Sequence, residues 1–276
     1  KVDNFIVDLD FLINSKNKSS RNWNNHNFLF HKLSEILSLK LNELNNNFEN
    51  ILLLSADCDE ALRTLKQKDF KNLVFISPYE KLLKKAKNNQ NNILKVQSDF
   101  ENLPCSKGKF NLIVSNLCLH TINKKKNHLI KIYDLLCEDG LFLCNFFGEG
   151  TLHELKNSLF KADEKIFNGI FMRFAPNLKM VEVSDLLSQI GFKELVSEKI
   201  SYKIFHNHVI KILEDLRGMG EKNLLKNRKK GLITKNYIET LNKSYKENYF
   251  SKNGLEISCD VISICGWKNK KVQEIL

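Results

Sequence analysis

The chain has 276 residues, of which 42% are hydrophobic and 27% are charged, enough to build one large domain with a full apolar core. Its formal net charge is +11, yet Lys and Asn are spread throughout and the basic runs at 123–127 and 226–230 contain no aromatic residues, so no nucleic-acid surface is expected. No apolar stretch approaches the roughly 20 residues of a membrane span, and the acidic start "KVDNFIVDLD" lacks the layout of a signal peptide. We expect a soluble, intracellular protein.

The cysteines give a further bound on the cellular compartment. Seven are present, an odd number, and no pair has the C-x-x-C spacing. Several stand inside apolar runs such as "IVSNLCLH" and "GLFLCNFF". This pattern predicts buried free thiols in a reducing compartment and no zinc site.

The first half of the chain predicts a leading helix followed by alternating strands and helices. Apolar residues at helical spacing predict an amphipathic helix over 26–46. Short apolar runs then lie at 51–54, 73–76, 93–96, 110–114 and 141–147, and charged helix-like segments lie at about 59–68, 79–88 and 124–137. Such alternation predicts βαβ units and a parallel sheet.

The second half predicts a capped helix, two late strands and two further helices. In "SDLLSQIGF", Ser184 is the expected N-cap and Gly191 the expected stop. The strands are expected at 195–204 and within "LEISCDVISICGWK", and the helices near 206–217 and 234–249. This order is that of the class I methyltransferase fold, an α/β fold with a seven-stranded, mostly parallel sheet whose last hairpin is reversed.

The domain organisation follows from this order. We expect a single domain over 1–276, made of an N-terminal helical segment (1–48), a nucleotide-binding half (49–147) and a part with lid insertions and C-terminal strands (148–276). Segments 151–182 and 206–250 exceed the core of the fold. They are expected to form a helical lid over the carboxyl edge of the sheet, where such sheets bind ligands.

Local motifs point to one family. "KFNLIVSNLCLH" (109–120) resembles the fourth-strand motif of small methyltransferases that use S-adenosylmethionine (SAM). More specific pieces are "FGEGTLHELKNSL" (147–159), "EDLRGMGEKN" (214–223) and, near the start, "NHNFLFHKLSEIL". Together they are similar to a family that contains a mitochondrial complex I assembly factor, described as an arginine hydroxylase, and alphaproteobacterial proteins labelled methyltransferases. A more distant resemblance is to malonyl-acyl-carrier-protein O-methyltransferase.

The resemblance implies a cofactor, a partner and a location. The cofactor would be SAM, and the partner would be a protein, with a respiratory complex I subunit as the candidate. The location would be the bacterial cytoplasm or the mitochondrial matrix, and peripheral membrane association is compatible with it.

The first cofactor motif of this superfamily is degenerate here. The family has an acid and then G-x-G-x-G at the end of the first strand, whereas this chain has Leu53, Ser55, Asp57 and Asp59. Glycines there let the backbone approach the cofactor, and the first glycine of this chain is Gly108. The aspartates would also repel the carboxylate of SAM.

Of the other cofactor positions, one departs from the family pattern and another matches it. Ser77 stands where the second strand of relatives ends in the acid that holds the ribose hydroxyls. Asp99 is retained and in relatives meets the adenine amino group, with Phe100 beside it; Asn116 is a further family-equivalent position. With the glycine turn and the ribose acid gone, SAM binding is predicted to be weak or lost.

Three interpretations of "SADCDEAL" remain open. It can be a plain turn in which Asp57 or Asp59 caps the next helix. It can support a different mode of SAM binding. It can bind a metal through Asp57, Cys58 and Asp59, although no further ligand is apparent in the sequence.

Four residues outside the cofactor motifs are candidates for substrate or partner contact. His120 ends the fourth-strand motif and is either a general base or a locally hydrogen-bonded side chain. Arg173, in "MRFAP", is expected to face the pocket from the lid. Arg217 forms either an intrahelical ion pair with Glu214 or Glu221 or a contact to a partner. Met219 lies between two glycines and would be presented outward or over the cleft with Arg217.

Three functions therefore compete. The chain is a working SAM-dependent methyltransferase or arginine hydroxylase, a degenerate relative with an assembly or scaffold role, or a protein that binds another small molecule in the same cleft. The whole-chain resemblance favours the first, and the lost cofactor turn beside intact lid motifs favours the second.

Overall fold

A computed structural model describes residues 6–44, 47–87, 90–176, 178–229 and 233–268. The α-helices are α1 (Leu9–Ser19), α2 (Phe28–Glu43), α3 (Glu60–Leu65), α4 (Glu80–Lys85), α5 (Lys125–Leu135), α6 (His153–Phe167), α7 (Met180–Ile190), α8 (Val209–Gly218) and α9 (Lys235–Tyr249). The strands are β1 (Asn50–Ser55), β2 (Asn72–Ser77), β3 (Ile93–Gln97), β4 (Phe110–Asn116), β5 (Leu136–Phe147), β6 (Phe192–His206), β7 (Phe250–Ser251) and β8 (Gly254–Lys268). Short 3-10 helices cover Ser20–Asn25 and Leu119–Thr121.

The described strands form one sheet in the order β3-β2-β1-β4-β5-β8-β6, with the two-residue β7 paired to β8. Strands β1 to β5 are parallel, and β8 runs antiparallel to both β5 and β6. The predicted class I methyltransferase fold, with an interior β1 and a reversed last strand, is confirmed.

The sheet has helices on both faces because its central strands are apolar on both sides. All residues of β1 from Ile51 to Ser55 are buried. Leu52 and Leu54 belong to one hydrophobic cluster, while Ile51 and Leu53 belong to another on the opposite face. Continuous apolar runs of this kind are what a strand covered on both faces requires.

The lid extends beyond the carboxyl edge of the sheet. The last pair between β5 and β8 joins Phe147 to Val261, whereas β6 and β8 stay paired as far as His206 and Leu255. Helices α6, α8 and α9 pack around this protruding hairpin and share a third hydrophobic cluster with it. None of the helices in the described part of the chain is both long and apolar enough to span a bilayer.

Some local predictions need correction. Helix α7 begins at Met180, so Ser184 is not its N-cap; the Ser184 hydroxyl lies inside the helix and donates to the Met180 carbonyl at 2.9 Å. The helical pattern that includes Val183 continues upstream of Ser184, and this explains the earlier start. Gly191 ends the helix at φ 119°, as predicted. The predicted helix ends at 45–46 and 88 lie outside the described residues.

Candidate functional site

The carboxyl end of β1 carries a buried polar cluster in place of a glycine turn. Asp57 Oδ2 accepts hydrogen bonds from Ser55 Oγ at 2.7 Å and from Asn116 Nδ2 at 3.0 Å, and all three residues are fully buried. Burial raises the pKa of Asp57, and the nearby charge of Glu60 raises it further. None of residues 55–59 has a positive φ, so the turn does not adopt the backbone shapes that glycine allows.

The start of α3 decides between the interpretations of this turn. Asp57 Oδ2 lies 3.4 Å from the Ala61 amide, a weak cap, whereas Asp59 occupies the N-cap position without a side-chain cap and pairs with Arg63 at 3.0 Å. Among the described residues, no group of three His, Cys, Asp or Glu side chains could hold a metal ion. The geometry therefore favours a structural turn.

Glu60 joins this turn to the N-terminal helices. Its Oε1 accepts hydrogen bonds from Trp23 Nε1 at 2.7 Å and Asn27 Nδ2 at 2.8 Å. Its Oε2 accepts from the amides of Cys58 and Asp59 at 3.1 and 3.2 Å. Trp23 is 1% exposed and Glu60 is 2% exposed, so the N-terminal segment lies directly against the first strand–helix junction. The sequence analysis missed this contact.

The residues that follow β2 and β3 pack against each other through two aromatic rings. Ser77 Oγ accepts from the Tyr79 amide at 3.4 Å, and the Tyr79 ring is fully buried edge-to-face against Phe100 with 6.0 Å between centroids. Asp99 lies apart from the polar cluster: its carboxylate accepts from the Glu101 amide at 3.0 Å and shapes a local turn. The six cofactor positions therefore divide into a hydrogen-bonded cluster of three residues, one aromatic contact at Phe100 and two local turns at Ser77 and Asp99.

A separate cavity lies beneath the lid. It has a volume of about 700 Å³ and is lined by helices α6, α8 and α9, by the segments that flank them, and by Val7, Phe11 and His120. His120, Arg173 and Arg217 all line it, and of these Arg173 was expected to face the pocket; none of the six cofactor positions lines it. The lid residues and the cofactor positions thus belong to different places in the fold.

His120 stands at the base of this cavity beside a buried ion pair. Its ring packs on Phe147 with 5.1 Å between centroids, and its Nε2 lies 3.7 Å from Glu221 Oε2. Glu221 is held by the fully buried Lys16, whose Nζ also donates to the Met219 carbonyl at 3.0 Å. Burial alone would raise the pKa of Glu221, but the charges of Lys16 and His120 outweigh it and lower that pKa.

Arg173 closes the opposite side of the cavity. Its guanidinium binds both oxygens of the fully buried Asp163 and donates to the Tyr237 hydroxyl at 3.1 Å. That hydroxyl donates to Asp163 Oδ1 at 2.7 Å. Burial alone would raise the pKa of Asp163, but the hydrogen bonds from Arg173 and Tyr237 lower it. Arg173 faces the pocket as predicted, and it also ties residues 171–173 to α6 and α9.

The turn after α8 differs from its prediction in two respects. Glu214 pairs with Lys211, and Glu221 pairs with Lys16, so the expected ion pairs with Arg217 are replaced. Arg217 is exposed, but Met219 is only 4% exposed and its side chain lines a small apolar cavity of about 100 Å³. Of the two expected placements of Met219, outward or over the cleft, the outward one is wrong, because its side chain is buried in the main hydrophobic cluster.

Comparisons with known proteins agree with this geometry. Residues 59–144 match a family model described as a methyltransferase domain. The chain has the class I methyltransferase fold, and its sequence is similar to that of methyltransferase-domain proteins. The YcgJ protein of Bacillus subtilis has a crystal structure similar to this chain, with a TM-score of 0.59 at 14% identity over 85% of this chain and 98% of that one. Phosphoethanolamine N-methyltransferase 2 of Haemonchus contortus, solved with S-adenosyl-L-methionine, has a TM-score of 0.51 at 15% identity over 84% of this chain and 51% of that one.

Sequence relatives confirm the family resemblance. The mitochondrial arginine hydroxylase NDUFAF5 of Homo sapiens is 30% identical over 195 residues, which are 70% of this chain and 56% of the relative. A Rickettsia prowazekii protein named as a methyltransferase, RP459, is 28% identical over 80% of this chain and 93% of its own length. Malonyl-[acyl-carrier protein] O-methyltransferase of Nitrosospira multiformis is 31% identical over 51% of this chain and 44% of its own length. The chain spans about half the length of the NDUFAF5 relatives.

Proposed function

We propose that this chain has an assembly or scaffold role and uses the methyltransferase fold without SAM. One observation supports the proposal: four of the six positions that correspond to cofactor contacts in the resembling family are engaged in hydrogen bonds within the protein. Ser55, Asp57, Ser77 and Asn116 are fully buried, and Trp23 lies over the junction that they form.

The chemistry of that position supports the same conclusion. A bound SAM would need close backbone approach at residues 55–59 and a ribose acceptor at the end of β2. Here the Asp57 carboxylate already accepts from Ser55 and Asn116, and the Ser77 hydroxyl accepts from its own turn. We expect a bound SAM to compete with these hydrogen bonds for the Asp57 carboxylate and the Ser77 hydroxyl.

The partner would be a protein, and the resemblance to the complex I assembly factor makes a respiratory complex subunit the candidate. Arg217 lies in the last turn of α8 and has an exposed side chain, whereas its neighbours Gly218 and Met219 are packed against the molecule. This exposure supports a contact surface there. The location would be the bacterial cytoplasm or the mitochondrial matrix.

A second candidate, a SAM-dependent methyltransferase or arginine hydroxylase, is favoured by one observation. The His120–Glu221 pair faces a large cavity at the end of β4, where a general base would act on a substrate. Against it, Glu221 is already neutralised by the buried Lys16.

Calorimetric titration with SAM and S-adenosylhomocysteine separates the two candidates. The scaffold role predicts a Kd above about 100 μM, a binding free energy weaker than about −5.5 kcal/mol. A variant with glycine at 55, 57 and 59 together with Ser77→Asp should bind more tightly if it folds. Micromolar affinity of the wild type would favour the enzyme, and a folded variant with no gain would contradict the explanation of the defect.

A further inference from the structure

The cavity beneath the lid carries an excess of positive charge. Among the lining residues that the structure describes, the cations are Lys156, Arg173, Arg217, Lys222, Arg228 and Lys229, and Glu221 is the one carboxylate. Glu221 is engaged by Lys16 from outside the cavity, while Arg173 and Arg228 are neutralised by Asp163 and Asp8. The charges of the remaining cations, Lys156, Arg217, Lys222 and Lys229, must be balanced by solvent or by a ligand.

Lys156 and Lys229 both lie against aromatic rings, but Lys156 is half-buried whereas Lys229 is exposed. Lys156 lies on α6 between Leu155 and Leu159 in sequence, and its Nζ is 5.2 Å from the centre of the Phe174 ring. The lysine is half-buried, and no ion pair involves it among the described residues. Burial lowers its pKa, and no carboxylate opposes that shift. An ammonium in this setting is stabilised when an anion approaches it.

Arg217 and Lys222 form a second group of cations where the cavity meets the surface. Both line the cavity and also a neighbouring surface depression that includes Lys18 and one carboxylate, Glu214, which is paired with Lys211. Burial lowers the pKa of Lys222, and the positive charges of Arg217 and Lys18 lower it further. Like charges held together at an entrance attract anions and repel cations.

The rest of the cavity wall is aliphatic and aromatic. It includes Phe147, Leu155, Leu159, Phe174, Leu213, Leu216 and Leu241. Its volume of about 700 Å³ is within the range of small-molecule sites, roughly 300–1,000 Å³. We propose that this cavity binds a single-chain amphipathic carboxylate, with the carboxylate paired to Lys156 and the hydrocarbon chain along the apolar wall. This site does not depend on the proposed assembly role, and its charge disfavours an arginine side chain as the occupant.

The test is calorimetric titration of the full chain with two amphiphiles that share one chain length, dodecanoate and dodecyltrimethylammonium. Dodecanoate should bind with a saturable, micromolar affinity, and the cation should bind at least about tenfold more weakly. Lys156→Met keeps the length of the side chain and removes its charge, so it should weaken dodecanoate binding by about tenfold. Lys165→Met, on the solvent-facing side of the same helix, is the matched control and should leave binding unchanged.

Several outcomes would overturn the proposal. These are no saturable binding of dodecanoate, equal or tighter binding of the cation, and an equal effect of the two lysine substitutions. Circular dichroism melts establish that both variants fold. If Lys156→Met does not fold, two other measurements test the proposal. Lys156→Arg keeps the positive charge and should therefore keep dodecanoate binding, and the wild type should bind dodecanoate more tightly than the cationic amphiphile.

Discussion

The Glu60 carboxylate offers the sharpest test of how the N-terminal segment is held against the sheet. Glu60→Ala removes the acceptor of four hydrogen bonds, from Trp23, Asn27 and the amides of Cys58 and Asp59. Each donor left buried without a partner costs about 1–3 kcal/mol. Water that enters the vacated space recovers part of this cost, and loss of the Glu60 charge relieves the ionised Asp57 nearby.

We therefore expect Glu60→Ala to lower the free energy of unfolding by about 3–5 kcal/mol. Glu60→Gln keeps one acceptor oxygen but turns an amide group toward donors, so about half of that loss is expected. Urea denaturation followed by far-ultraviolet circular dichroism measures the difference. The control is Glu35→Ala, which removes an exposed carboxylate of α2 paired with Lys32 and should cost less than about 0.5 kcal/mol. A loss below about 1 kcal/mol for Glu60→Ala would refute the reasoning.

Three further predictions concern the lid and the buried acids. Arg217→Ala should weaken capture of a protein partner from the native organism in a pull-down while changing stability by less than about 1 kcal/mol, since the site is exposed. An unchanged set of partners would contradict a contact surface at Arg217. A large loss of stability would instead show that Arg217 has a structural role. Arg173→Met should cost about 3–5 kcal/mol at pH 7 because it leaves Asp163 buried and uncompensated. The pKa of Asp163 is lowered from its usual 3.8 in the folded wild type, so the stabilisation by Arg173 is lost as pH falls below about 4, and the deficit of the variant in urea melts should shrink there; a deficit that stays constant down to about pH 3 would contradict this. Asp57→Asn should be more stable than the wild type at pH 8 but not at pH 5. The raised pKa of Asp57 makes the wild type lose stability as the pH rises through that pKa. Equal effects at both pH values would argue against a buried, ionising Asp57.

The order of strands and helices could be predicted because it rests on local patterns. Runs such as "ILLL" at 51–54 are apolar on both faces and admit little else than a buried parallel strand. Gly191 was identifiable as a helix stop because glycine, which has no Cβ, adopts the positive φ of this position without steric cost. Ser184 was misassigned because a hydroxyl before an apolar run resembles a cap, and only the packing shows that the helix has already begun.

The candidate site could be predicted only in part, because its decisive contacts are distant in sequence. Trp23 meets Glu60 across 37 residues, and Lys16 meets Glu221 across 205. A lysine is usually solvated, so nothing local indicates that Lys16 is fully buried. The loss of glycine at residues 55–59 was visible, but the Trp23 and Asn27 contacts to Glu60 come from another part of the chain.

A crystal structure grown with excess S-adenosylhomocysteine tests the central claim most directly. We predict that the Trp23–Glu60 hydrogen bond of 2.7 Å persists and that no adenosyl density lies beside Ser55, Asp57 and Ser77. An adenosyl group seated against the carboxyl ends of β1 and β2, with Trp23 displaced from Glu60, would contradict the claim that the protein's own side chains have replaced the cofactor.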